Sequence, residues 1–114
     1  MLVITHIETI EAIKDLDAIL ATPGLDGVSL GRNDLSGPLG KLGQHTDPEV
    51  LKAIDMFFSK SRYTDLFVGC SIGCDLDTVK QWRAKGCQWF ALGEDIRHFA
   101  NGSKVIADAV HAID

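Results

Sequence analysis

The chain has 114 residues, 46% of them hydrophobic and 24% charged, with 11 glycines against 3 prolines; this is the composition of one ordinary globular domain and excludes a disordered, fibrous or disulfide-framed chain. Sixteen acidic against eleven basic residues give a formal net charge of −5, and no cluster of Lys and Arg offers a phosphate-tracking surface, so no nucleic acid partner is expected. The length supports a single core but falls well short of the ~250 residues typical of a closed eight-stranded α/β barrel.

No window approaches the ~20 apolar residues of a membrane span, and the N-terminal residues carry no basic leader, so a cytoplasmic protein without a membrane partner is expected. Cys70, Cys74 and Cys87 make an odd count without the second ligand pair of a structural zinc site, and they read as small reduced core residues. His45, His98 and His111 are isolated and read as surface groups.

Along the chain, short apolar runs alternate with stripes of helical period, which is the signature of βα units. Residues 2–7 form the first strand candidate, followed by a helical stripe at Ile10, Ile13, Leu16, Ile19 and Leu20 that stops at Thr22-Pro23-Gly24. Residues 27–31 are the second strand. After a glycine-rich loop over residues 37–43, Asp47-Pro48-Glu49 supplies an N-cap, a proline at N1 and an acid in the first turn. The helix that follows carries Val50, Leu51, Ile54, Phe57 and Phe58 on its apolar face. A third strand over residues 66–71 leads to a helix capped by Asp75, with the stripe Leu76, Val79 and Trp82, and Lys85-Gly86 at its end. Residues 88–92 are the fourth strand, and the last helix starts near Asp95 with Phe99, Ser103, Ile106, Val110 and Ile113 in register. The order β-α-β-α-β-α-β-α predicts four parallel strands covered by helices.

In such an architecture the functional face lies at the carboxyl ends of the strands. Glu8 and Asp34 follow the first two strands, which places two carboxylates side by side near glycine-bearing backbone. That suits a divalent cation taking oxygen ligands, Mg²⁺ or Mn²⁺. Acids in this position also serve as helix N-caps, and spacing leaves both roles open.

Ile7-Glu8-Thr9, the run from Pro23 through Gly31-Arg32-Asn33-Asp34-Leu35-Ser36, Leu39-Gly40 and His45-Thr46-Asp47-Pro48-Glu49-Val50 together resemble the C-terminal half of the HpcH/HpaI aldolases. These are metal-dependent class II aldolases that make and break carbon–carbon bonds of pyruvate or a related 2-oxo acid, within a superfamily that includes the citrate lyase β subunit. The resemblance implies one half-barrel domain over residues 1–114, four βα units of a (β/α)8 TIM-type barrel, completed by oligomerisation. It implies that Glu8 and Asp34 bind Mg²⁺ or Mn²⁺, with Co²⁺ as a further candidate. It also implies that the backbone amides of Gly31 and Asn33 hold the carboxylate of a 2-oxo acid such as pyruvate or oxaloacetate, and that Ile72 lines the pocket.

The chain departs from the family where the loop commonly reads Gly-Pro-Ala-Asp, because Arg32 and Asn33 stand there instead. Arg32 either turns outward as a solvated side chain or supplies a carboxylate-binding guanidinium. His6 shares the inward side of the first strand with Glu8 by the period-two rule and is open to three roles: third ligand, general base, or hydrogen-bonded interior histidine. The family's catalytic histidine and substrate-binding arginine belong to the N-terminal half. The expectation is therefore an aldolase-related chain that is weakly active or inactive on its own, the alternative being a non-catalytic half-barrel or a module that binds a 2-oxo acid or a partner.

Overall fold

The computed structural model describes residues 1–113. Its strands are β1 (Ile4–Ile7), β2 (Gly27–Gly31), β3 (Phe67–Ile72) and β4 (Trp89–Leu92), all parallel and ordered β1-β2-β3-β4 in one sheet. Between and after them run α1 (Ile10–Lys14), α2 (Leu16–Leu20), α3 (Arg32–Ser36), α4 (Pro48–Ser61), α5 (Leu76–Ala84) and α6 (Asp95–His111). The α/β class, four parallel strands and the helical cover are those the sequence pattern predicts.

The register sorts the strands into two faces. One row joins Ile7, Leu30, Cys70 and Phe90 across the sheet, and a second joins Thr5, Val28 and Val68. With period-two alternation these side chains share the helix-covered face. Ile7, Val28, Leu30, Val68 and Cys70 are buried there against Ile13, Leu16, Leu35 and α4. The opposite face carries the row His6, Ser29, Gly69 and Trp89; it is less covered, with Ile4 and Phe67 42% and 53% exposed.

α4 supplies most of the cover. The Asp47 carboxylate accepts from the backbone N–H of Glu49 at 2.9 Å, Pro48 sits in the first turn, and Val50, Ala53, Ile54, Phe57, Phe58 and Ser61 form a buried stripe at three- and four-residue steps. Phe57 is fully buried, a gain of about 1.5–3 kcal/mol over leaving it exposed. The Ser61 hydroxyl satisfies itself by donating to Phe57 O at 2.7 Å. Leu51, expected on this face, is 41% exposed, because it lies one residue and about 100° beyond Val50.

Several expectations are corrected. The stripe from Ile10 to Leu20 is two short helices that break at Asp15 (φ −90°, ψ 12°). β1 begins at Ile4, although Val3 remains tied to the fold through its N–H to Asp26 Oδ2 at 2.7 Å. Arg32–Ser36, to which the sequence pattern assigns no element, is the short helix α3. Leu76 occupies the exposed first residue of α5, and among that helix's residues only Trp82 is buried.

α6 has the expected amphipathic spacing, but none of its residues is buried, and Ile96, Phe99, Ile106 and Val110 all present exposed side chains. The helix projects from the sheet. Consistently, the Cα radius of gyration is 16.8 Å, against about 13 Å for a compact domain of this length. Among the described residues no helix is long and apolar enough to cross a membrane.

Candidate functional site

The carboxyl ends of β1, β2 and β3 converge with the start of α6 around an open hollow of about 730 Å³. His6 enters it from β1; Gly31, Arg32, Asn33 and Asp34 enter from the end of β2 and from α3; Ser71, Ile72, Gly73, Cys74 and Asp75 come from β3 and the loop before α5. Strand pairing fixes this arrangement, since Gly31 and Ser71 are register partners and each strand ends at the same level.

Glu8 lies directly after β1, with its Oε2 3.6 Å from His6 Nε2 and side-chain exposures of 40% and 45% for the His and the Glu. Asp34 is exposed in the first turn of α3 and lines the hollow. Among the described residues neither carboxylate pairs with a Lys or Arg. Neither do three or more His, Cys, Asp or Glu side chains cluster as a ready-made metal cage, so His6, Glu8 and Asp34 do not stand as a three-ligand set. Asp34 lines the hollow, whereas Glu8, beside His6, is not among its lining residues; carboxylates are the ligand type of a hard divalent cation, which takes one or two of them and completes its shell with water or substrate.

Arg32 does not turn away into solvent. Its guanidinium lies 5.5 Å from the centre of the Trp82 ring, which stacks edge-on to Phe58 at 5.5 Å. Burial lowers its pKa, while the thiol of Cys70 and the carboxylate of Asp75 act in the opposite direction; a guanidinium remains charged under such shifts. Asn33 is exposed, and its Oδ1 lies 3.4 Å from His45 Nε2. Ile72 is only 5% exposed and belongs mainly to the core, reaching the hollow at its wall.

Two groups escaped the sequence reading. His45, taken as an isolated surface histidine, lines the hollow, and burial together with the nearby Arg32 charge lowers its pKa. The loop that carries it is fastened to α3: the Ser36 hydroxyl donates to Asn33 O at 2.6 Å and accepts from the Gly43 N–H at 3.2 Å, while the Lys41 N–H reaches Ser36 O at 2.9 Å. Cys74, taken as a core residue, is exposed and lines the hollow, whereas Cys70 and Cys87 are buried as expected. Cys74 falls in the stretch from Ser71 to Asp75 that strand order places on the functional face, so only its reading as a core thiol is corrected; His45 belongs to no periodic stripe and is revealed only by the folded loop.

A family model described as HpcH/HpaI aldolase/citrate lyase matches residues 1–102. A 5-keto-4-deoxy-D-glucarate aldolase from Citrobacter koseri is 31% identical over 107 residues, covering 94% of this chain and 41% of that protein. The crystal structure of an HpcH/HpaI aldolase from Desulfitobacterium hafniense superposes with a TM-score of 0.81 at 27% identity, covering 98% of this chain and 42% of that one. An aldolase/citrate lyase family protein from Burkholderia cenocepacia shares the fold with a TM-score of 0.89 over 97% of this chain and 43% of its own. The chain thus spans about two fifths of the length of each relative, and its four parallel βα units match a corresponding part of their folds. By sequence over nearly all of its length, it belongs to the HpcH/HpaI aldolase/citrate lyase family.

Proposed function

We propose that the hollow binds a 2-oxo acid such as pyruvate or oxaloacetate beside a divalent cation, Mg²⁺, Mn²⁺ or Co²⁺, and that it serves aldolase-type carbon–carbon bond chemistry. The observation that carries this reading is the pair Glu8 and Asp34, two carboxylates that follow adjacent parallel strands, Glu8 directly and Asp34 in the first turn of α3, and that among the described residues pair with no Lys or Arg. When bound, the cation supplies Lewis-acid polarisation of the 2-oxo carbonyl. Glu8 and Asp34 would hold it. His6 Nε2, 3.6 Å from Glu8 Oε2, orients that carboxylate.

The substrate carboxylate is received by the backbone amides of Gly31 and Asn33, which donate to an oxyanion without adding a titratable charge. Arg32, braced on Trp82, adds the guanidinium that a carboxylate-binding site needs. The His45 ring at 3.4 Å from Asn33 Oδ1 steadies the Asn33 side chain at the edge of the hollow. Ile72 contributes apolar wall.

Calorimetric titration of the chain with Mn²⁺, followed by oxaloacetate decarboxylation and retro-aldol assays on the loaded protein, tests the reading. Saturable Mn²⁺ binding that disappears in E8Q and D34N supports the assignment of the ligands, and pyruvate release supports catalysis. Binding of Mn²⁺ and pyruvate without turnover would assign a 2-oxo-acid-binding module instead. Equal Mn²⁺ binding in wild type and both variants would remove the site.

The same reading includes a homo-oligomer. The uncovered apolar side chains of α6 and the exposed Ile4 and Phe67 on the open sheet face are surfaces that soluble proteins rarely leave bare. Light scattering should give a mass above that of one chain, and a stable monomer would overturn this part of the proposal.

A further inference from the structure

We infer that Cys74 is a thiol-modification site, poised to form a mixed disulfide with a low-molecular-weight disulfide such as oxidised glutathione inside the hollow. The inference shares the hollow and Arg32 with the metal and substrate reading but does not rest on it.

The geometry involves three elements. Cys74 lies after β3, exposed and lining the hollow. His98, on the first turns of α6, stands beside it: the Sγ lies 4.0 Å from Nδ1 and 3.9 Å from Nε2. The imidazole is itself anchored, because Nε2 lies 2.8 Å from the Leu92 carbonyl oxygen. A carbonyl only accepts, so Nε2 carries a hydrogen, and in the neutral ring Nδ1 is then the nitrogen with the lone pair. Between them runs the Gly93 backbone, where any Cβ would stand 2.9 Å from Cys74 Sγ and 3.1 Å from His98 Nε2. The chain is bare where thiol and imidazole meet.

That arrangement sets a nucleophile beside an imidazole whose Nδ1 is 4.0 Å away, with the Leu92 carbonyl as a third group holding the ring. In the exchange, Cys74 Sγ attacks one sulfur of the disulfide, the disulfide S–S bond breaks, and a new Sγ–S bond forms. The proton lost by Cys74 passes through His98 Nδ1 to the departing thiolate, which leaves as a thiol. Cys74 is oxidised to the mixed disulfide and the small disulfide is reduced by the same two electrons. The hollow, at about 730 Å³, has room for a tripeptide, and Arg32 in its wall offers a cation to a carboxylate of glutathione, while Arg97 is paired with Glu94 Oε2 at 3.0 Å.

The other two cysteines supply an internal control. Cys70 and Cys87 are buried with their sulfurs 3.4 Å apart. The hydrogen bond with Cys87 and burial both push the Cys70 thiol far above its ordinary range, whereas the same hydrogen bond lowers that of Cys87, so what withholds Cys87 from a disulfide in solution is its burial.

The test is incubation of the native chain with oxidised glutathione, followed by intact mass and peptide mapping. The expected result is a single glutathionyl group on Cys74, none on Cys70 or Cys87, and full reversal by dithiothreitol. H98Q should slow the reaction by about tenfold or more, and C74S should abolish the adduct. Both positions are exposed, and mapping of the wild type needs no variant. Preferential labelling of Cys70 or Cys87, or an H98Q rate equal to wild type, would overturn the inference. Because the readout is mass, it stands or falls separately from Mn²⁺ binding and turnover.

Discussion

The imidazole of His6 fills the place that a side chain on Gly31 would need: a Cβ there would stand 2.9 Å from His6 Cδ2, nearer still to Nε2, and 3.1 Å from Glu8 Cβ. Gly31 has an ordinary negative φ of −101°, so the constraint is space rather than backbone conformation. In G31A the partly exposed His6 must swing aside and the Glu8 stem must follow. We expect a stability loss of roughly 1 kcal/mol, at the low end of overpacking costs because His6 has somewhere to go. On the proposed reading, Mn²⁺ affinity falls several-fold. Urea unfolding and Mn²⁺ calorimetry on the same variant separate the two effects, and unchanged affinity in a folded G31A protein would detach Glu8 from the cation.

One strand further into the sheet the same device recurs with less room to yield. A Cβ on Gly69 would fall within the indole of its register partner Trp89. Trp89 is half-buried and its Nε1 is buried without a hydrogen-bond partner among the described residues, so the ring is held by packing against the bare Gly69 backbone. G69A should cost about 2–3 kcal/mol, the upper range for overpacking. A shift in Trp fluorescence should accompany the lowered urea midpoint. A midpoint within error of wild type would show that the indole has another place to lie.

These two glycines mark the boundary of what the sequence makes legible. β2 and α4 are readable because their residues obey a period and their ends carry explicit signals, Gly27 and Gly31 for the strand and Asp47-Pro48 for the helix. α3 is not, because five residues after a glycine are too short to show a period, and Arg32-Asn33-Asp34 are not strong helix formers. Leu51 and Leu76 are apolar like their buried neighbours and differ only in the angle at which they leave the helix. The α6 stripe is legible as a stripe, but amphipathicity says that a face seeks cover without saying where the cover is. Within the site, Glu8 and Asp34 are placed by strand order alone. His45, Cys74 and His98 reach the hollow or its rim through loops and a helix start whose path depends on tertiary contacts such as those of Ser36.

Arg32 and His45 are electrostatically linked across the hollow. Burial, and then the Arg32 charge, lowers the His45 pKa, so the ring is neutral in the fold at neutral pH. A histidine with a depressed folded pKa contributes stability that is present above its ordinary value of about 6.5 and is lost as pH falls through the lowered one. R32Q removes the Coulombic part and leaves the burial, so His45 should titrate higher than in wild type but still below an unfolded histidine. NMR titration of the histidine Cε1 protons reads this directly. A His45 titration unmoved by R32Q would show that solvent screens the two groups from each other.

At the start of α4, Asp47 accepts from the Glu49 N–H at 2.9 Å and pairs with Lys41 Nζ at 3.1 Å. The backbone hydrogen bond, and then the lysine, hold its carboxyl below the usual carboxylate range, and the Lys41 pKa is raised in turn. A depressed carboxyl pKa contributes stability that is in place above the unfolded value of about 3.9 and is lost as pH falls through the folded value. D47A removes the cap at every pH and should lower Tm at neutral pH by roughly 5 °C. D47N keeps a capping oxygen but cannot titrate, so it should lose less at neutral pH and show a shallower decline of Tm between about pH 5 and 3 than wild type. Parallel Tm profiles for wild type and D47N over that interval would show that the acid sensitivity resides in other carboxylates, with Asp75, whose pKa is lowered by the Thr78 hydroxyl and the Asp77 N–H, as the next to substitute.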